Sequence, residues 1–178
     1  MSFQSLPRLW LLSDARNDEV LEIRLRQLGA PSAFVYRHYH LPPKGRLARY
    51  RQLARVARAE GHLVILADSA LTAREWGADG IYGAPLALYP RRCDLLRVAT
   101  AHDMSEIAQA NRVGADAVML SAAFPTNSHP GGKVLGPLRW HSLARQAQMP
   151  VIALGGMNSV TSRRLGCERW AAIDGLSA

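Results

Sequence analysis

Cysteine is scarce in this chain. Cys93 and Cys167 stand far apart, in no CxxC or Cys/His pattern. That argues against a disulfide framework or a thiolate zinc site, and for thiols kept in a reducing compartment. Long apolar runs are missing as well. None approaches the roughly 18–20 residues that cross a bilayer, so no membrane partner is expected. The opening MSFQSLPRLWLL has no basic stretch ahead of its short apolar run, which speaks against a signal peptide and leaves a cytoplasmic location as the expectation. No GxGxxG follows the first apolar run, so the dinucleotide-binding turn of a doubly wound sheet is absent. Lysine is nearly absent: of 22 basic residues, only Lys44 and Lys133 are not arginine.

What is present describes one domain. The 178 residues are 48% hydrophobic and 20% charged, enough for a real core in a globular chain. We therefore expect a single domain over 1–178. The net charge of +8 raises the question of nucleic acid. Its densest cluster, GRLARYRQLARVARAEG (45–61), places Leu47, Tyr50, Ala54 and Ala57 at helical spacing. That makes an amphipathic helix with a basic outer face. No helix-turn-helix, zinc-finger or RNP-type pattern accompanies it, so the reading is a solvated face and no nucleic-acid partner.

Continuous apolar runs recur along the chain at 8–12, 33–38, 63–67, 79–83, 94–100, 116–120, 150–154 and 169–173. Runs without alternation are what strands buried on both faces look like, hence a parallel sheet. Helical periodicity lies between most of them, over 17–28, 45–60, 71–76, 103–113, 138–146 and 159–165, with Gly29, Gly61, Gly77, Gly114 and Gly166 where helix ends belong. The phrases GADGIY (77–82) and GADAVML (114–120), with the looser GCERWAAI (166–173), mark a repeated strand–helix unit. The expected fold class is α/β, a short (β/α)8 TIM barrel lacking the eighth helix; an open doubly wound sheet is the alternative. The open side left by that helix should be apolar, which suggests a homodimer.

In such a barrel, chemistry sits in the loops after the strands. After the sixth run comes FPTNSHPGG (124–132), a loop rich in hydrogen-bonding groups with no carboxylate, suited to an anion. After the seventh, Gly155 and Gly156 would let backbone N–H groups approach a phosphate, or would simply form a turn. His102, two residues after Thr100, suits general acid–base work, or belongs to a capping turn in which Asp103 and Glu106 pair. Arg37 could clamp an anion or pair with a carboxylate. Asp68 could bind a metal or cap the next helix.

These stretches, in this order, resemble the thiamine phosphate synthase/TenI family of small barrels. The resemblance spans roughly 8–177 and rests on AHDMSE, GADAV, AFPTNS and IALGGM. It implies thiamine biosynthesis, with a small phosphorylated or heteroaromatic ligand. One family activity joins an aminopyrimidine methyl diphosphate to a thiazole phosphate, using Mg2+. The other tautomerises a thiazole phosphate carboxylate, with a histidine at the place of His102. The resemblance makes His102 and Thr100 catalytic, Arg37, Thr126, Ser128 and His129 substrate-binding, and Gly155 and Gly156 phosphate-binding, with Asp68 the candidate metal ligand. Against the synthase pattern, Val35 and Tyr39 replace a Gln and a Lys, His129 replaces a second Lys, and GAPLALYP carries no acid. The resemblance thus leaves two further readings: metal-free tautomerisation, or a family member that only binds or regulates.

Overall fold

The computed structural model describes residues 6–90, 94–126 and 131–176. Cys93, Ser128 and His129 lie outside them. Eight strands form a closed, all-parallel barrel in sequence order. They are β1 (Leu9–Leu12), β2 (Ala33–Tyr36), β3 (Leu63–Leu66), β4 (Gly80–Gly83), β5 (Leu96–Ala101), β6 (Ala117–Leu120), β7 (Val151–Ala153) and β8 (Trp170–Ala172). Around them run α1 (Leu21–Gln27), α2 (Pro43–Ala59), α3 (Ala70–Trp76), α4 (Met104–Val113), α5 (Gly136–Ala144) and α6 (Ser159–Leu165). The link from β4 to β5 holds one 3-10 turn, Pro85–Leu88, in keeping with its short, proline-rich sequence. Among the described residues no helix follows β8, and none of the helices is long and apolar enough to cross a membrane.

Side chains alternate along each strand, so the two apolar faces bury into two cores. Inside the barrel pack Trp10, Val35, Ile65, Val98, Met119 and Ile152. Between sheet and helices pack Leu11, Phe34, Leu66, Val118, Leu120 and Ala153. The parallel register links Val35 to Ile65 and Met119 to Ile152, which holds like-facing residues in one layer.

Two local expectations change. The helix expected over 17–28 is a 3-10 turn, Ala15–Val20, followed by α1. Asn17 is the reason. Its side chain accepts the Asp14 N–H at 2.8 Å and donates to Leu12 O at 3.0 Å and Ile173 O at 2.9 Å, so it ties the ends of β1 and β8 together. Gly29 is not a left-handed cap either, because α1 ends at Leu28 in extended geometry; Gly77, Gly114 and Gly166 do end their helices that way. Arg97 on β5 is fully buried and faces the helices. Its guanidinium donates to Val113 O at 2.9 Å and to Gly114 O, and meets the Asp116 carboxylate at 3.4 Å. A cation there complements the carbonyl end of α4.

Candidate functional site

A cavity of about 1180 Å³ opens where the strands end. Each loop reaches it for a local reason. Arg37 follows Ala33 and Val35 at two-residue spacing, so it continues the inward-facing set past β2. Thr100 does the same after Leu96 and Val98, and Tyr82 lies on β4. Arg37, Tyr82, Thr100, His102, Thr126 and Gly155 all line the cavity, and Gly156 does too.

Asp68 does not. It shares the parity of Val64 and Leu66, which face the helices. Its carboxylate accordingly meets the Arg46 guanidinium on α2 and accepts the Ser69 N–H at 2.7 Å. Burial works to raise its pKa, but Arg46 and Ser69 outweigh it and hold it below the ordinary carboxylate value. The residue expected as a metal ligand is thus an ion-pair partner on the outer layer.

His102 sits at the exposed rim, and Glu106 governs it. Glu106 Oε2 accepts the His102 backbone N–H at 2.6 Å and lies 2.9 Å from His102 Nδ1. Asp103 accepts the Glu106 N–H at 2.9 Å and so caps α4. The capping turn and the imidazole contact therefore coexist, with Glu106 reaching one residue further back than Asp103. A carboxylate only accepts, so the proton of a neutral ring belongs on Nδ1 and Nε2 is left to accept.

The β7 loop calls for glycine on two counts, backbone conformation and packing. Gly155 has φ +89° and Gly156 φ +64°. A Cβ on Gly155 would lie 2.7 Å from Ala122 Cβ, and one on Gly156 would press on Pro125 O and lie 2.8 Å from Phe124 Cβ. Their carbonyls accept from Phe124 N–H at 3.1 Å and Thr161 Oγ1 at 3.0 Å. Their N–H groups have no partner among the described residues. The second and third N–H groups of α6 are different: Asn158 Oδ1 already accepts those of Val160 and Thr161 at 2.9 Å.

Arg37 is anchored. Its Nε donates to Ser13 O at 2.8 Å and a terminal nitrogen to Asp14 at 3.0 Å. Burial pushes the Tyr82 hydroxyl up to about 12, against the pull of Arg37, so it stays a neutral donor. Lys133 and Arg139 add two exposed cations to the wall, and Asp174, paired with Arg16 at 3.3 Å, adds a carboxylate. Sequence reasoning did not single out Tyr82, Glu106 in this role, Lys133 or Arg139. The lone lysine after the glycine pair of the sixth loop was the available signal for Lys133.

The described residues offer Mg2+ no ready protein cage. The ion prefers octahedral oxygen coordination. Asp68 faces α2 and is neutralised, the β4 loop offers no acid, and Asp103 and Asp174 are each engaged. Among the described residues no three His, Cys, Asp or Glu side chains could hold a metal ion together. On α2, Arg46, Arg49 and Arg58 are likewise spent on internal acceptors: Asp68, Asp18 and the Gly77 carbonyl.

Residues 11–176 match the family model TMP-TENI, described as thiamine monophosphate synthase. Thiamine-phosphate synthase of Chromobacterium violaceum is 30% identical, covering 83% of this chain and 76% of its own. The namesake from Pyrococcus furiosus is 23% identical over 93% of this chain and 83% of its own. The solved structure of thiamine phosphate pyrophosphorylase from Pyrococcus furiosus superposes with a TM-score of 0.76 at 23% identity, covering 93% of this chain and 85% of that one.

Proposed function

This chain belongs to the thiamine monophosphate synthase family, and on that footing we propose that its cavity takes a thiazole phosphate and moves a proton on it without a metal. One observation carries the choice: Asp68 faces α2 and is spent on Arg46, whereas the acid–base group His102 lines the cavity. Proton transfer needs a base near neutral pH and nothing else from the protein that changes charge.

In this reading the phosphate lies against the N–H groups of Gly155 and Gly156, with Lys133 and Arg139 nearby. Arg37 and the Tyr82 hydroxyl meet the ring carboxylate. Thr100 and Thr126 hydrogen-bond the ring heteroatoms. His102 Nε2 takes a proton from one ring position and returns it to another, so no atom is gained or lost. Glu106 stabilises the imidazolium that forms in between. Ser128 and His129, in the same loop as Thr126, complete the proposed ligand contacts. The expected homodimer is part of the proposal; a monomer in sedimentation would remove it.

The test is direct. The purified chain is given a thiazole phosphate carboxylate with EDTA present, and the two tautomers are followed by NMR. Interconversion that His102→Ala abolishes supports the reading. Condensation of pyrimidine diphosphate with thiazole phosphate under Mg2+, without tautomerisation, would overturn it. Tight binding of thiazole phosphate with neither reaction would instead favour a binding role.

A further inference from the structure

Behind Arg37 runs a line of buried and half-buried hydrogen bonds that the chemistry above does not use. The Arg37 backbone N–H donates to Ser13 Oγ at 2.7 Å, beside the Nε contact to Ser13 O. Ser13 is fully buried, and its Oγ lies 2.8 Å from His38 Nδ1. His38 Nε2 lies 2.8 Å from Asp18 Oδ1. The same oxygen accepts from Arg49 Nε at 2.8 Å, and Arg49 also reaches Glu22 at 2.9 Å. Five segments of chain meet in this line: the turn after β1, the 3-10 turn, α1, the end of β2 and α2.

The donors and acceptors can be assigned throughout. Asp18 only accepts, so His38 carries its proton on Nε2. In a neutral ring Nδ1 then accepts the Ser13 hydroxyl proton, and Ser13 Oγ is left to accept the Arg37 N–H. Each donor from Arg37 to His38 then meets one acceptor, in one direction, and Asp18 Oδ1 accepts twice, from His38 and from Arg49. His38 is also 1% exposed and has φ +38°, a region that side chains rarely adopt. Such backbone is strained and persists only where its surroundings over-determine it. The ring stacks on Tyr36 at 4.7 Å. Burial lowers the His38 pKa, against the pull of Asp18, which favours the neutral ring that this assignment needs.

We propose that His38 is a positioning residue: clamped by Asp18, it orients Ser13, and Ser13 fixes both the backbone and the guanidinium of Arg37 at the cavity mouth. The identity of the ligand that Arg37 meets rests on the reading above; the positioning does not.

The experiment uses the full chain with ¹⁵N-labelled arginine. Two quantities are read: hydrogen exchange at Arg37 Nε–H, and thiazole phosphate affinity by calorimetry. Ser13→Ala and His38→Ala should each speed Arg37 exchange by about tenfold or more, as expected when a half-buried hydrogen bond loses its support. Both should weaken the ligand by about tenfold in the wild-type background and leave affinity unchanged in the Arg37→Ala background. A merely structural role would lower affinity equally in both backgrounds, and that result overturns the proposal. Unchanged Arg37 exchange in both variants also overturns it. If His38→Ala does not fold, Ser13→Ala decides, since it removes only one oxygen. If the wild type ignores thiazole phosphate, the ligand reading fails while the exchange measurement still decides the positioning.

Discussion

Glu106 Oε2 stands 2.9 Å from His102 Nδ1 and accepts the His102 backbone N–H at 2.6 Å, so one carboxylate fixes both the place and the tautomer of the rim histidine. The charge matters more than the hydrogen bond for a base that must become an imidazolium. Glu106→Gln keeps an acceptor but removes the charge. We expect turnover to fall by about tenfold or more with KM little changed, because general-base efficiency follows the basicity of the imidazole. A steady-state comparison of kcat and KM checks it; an unaltered kcat would show that Glu106 merely caps the chain.

The outward set of Asp68 gives a sharper contrast. Asp68→Asn should leave ligand affinity within about twofold of wild type, since the carboxylate does not reach the cavity. Added Mg2+ should make no difference in either protein. Calorimetry with thiazole phosphate, with and without Mg2+, reads both at once. A Mg2+-dependent gain that vanishes in Asp68→Asn would place the metal at this residue after all.

Arg97 tests the core. Arg97→Met fills much of the volume but leaves the carbonyls of Val113 and Gly114 without their donor, while Asp116, about a third exposed, keeps the backbone N–H of residue 97. Each acceptor left unpaired in this way costs about 1–3 kcal/mol. Urea unfolding followed by circular dichroism measures the loss; a change under about 1 kcal/mol would mean that water replaces the guanidinium without penalty.

Stability should also depend on pH through His38, which is packed among Asp18, Arg49, His40 and Tyr36. Its folded pKa is lowered from 6.5, so below that value the unfolded chain binds more protons than the folded one. The linkage then makes stability rise with pH across the window from the folded value up to 6.5, and fall as pH drops through it. Melting temperatures taken between about pH 5 and 7.5 should show this slope. The slope should flatten in His38→Gln, whose side chain does not titrate; an identical slope would assign it to other groups.

Most of the strands were legible because each is an unbroken apolar run. The same property hid Asp68. A strand buried on both faces carries no polar alternation, so nothing in LVILAD says whether Leu66 or Ala67 looks inward. Parity is fixed only when the neighbouring strands set the register, as Val35 does for Ile65. Tyr82 escaped notice for the same reason. Glu106 was readable as a capping residue but not as the partner of His102, since a turn of i to i+4 geometry supports either. The line from Ser13 through His38 to Asp18 joins residues that only the closing of β1 against β2 brings together. The helix expected from residue 17 failed at Asn17, whose amide serves two strands instead of a helical turn.

That amide bears on how the chain reaches its final form. Asn17 and Ile173 are 156 residues apart in sequence, and β8 also pairs with β1 through Leu9 and Trp170. Contacts of such separation make for slow folding. During synthesis β1 must wait, one edge unpaired, until β8 at Trp170–Ala172 has been made. A product broken off before Trp170 would keep two bare strand edges and would stick to its like rather than close.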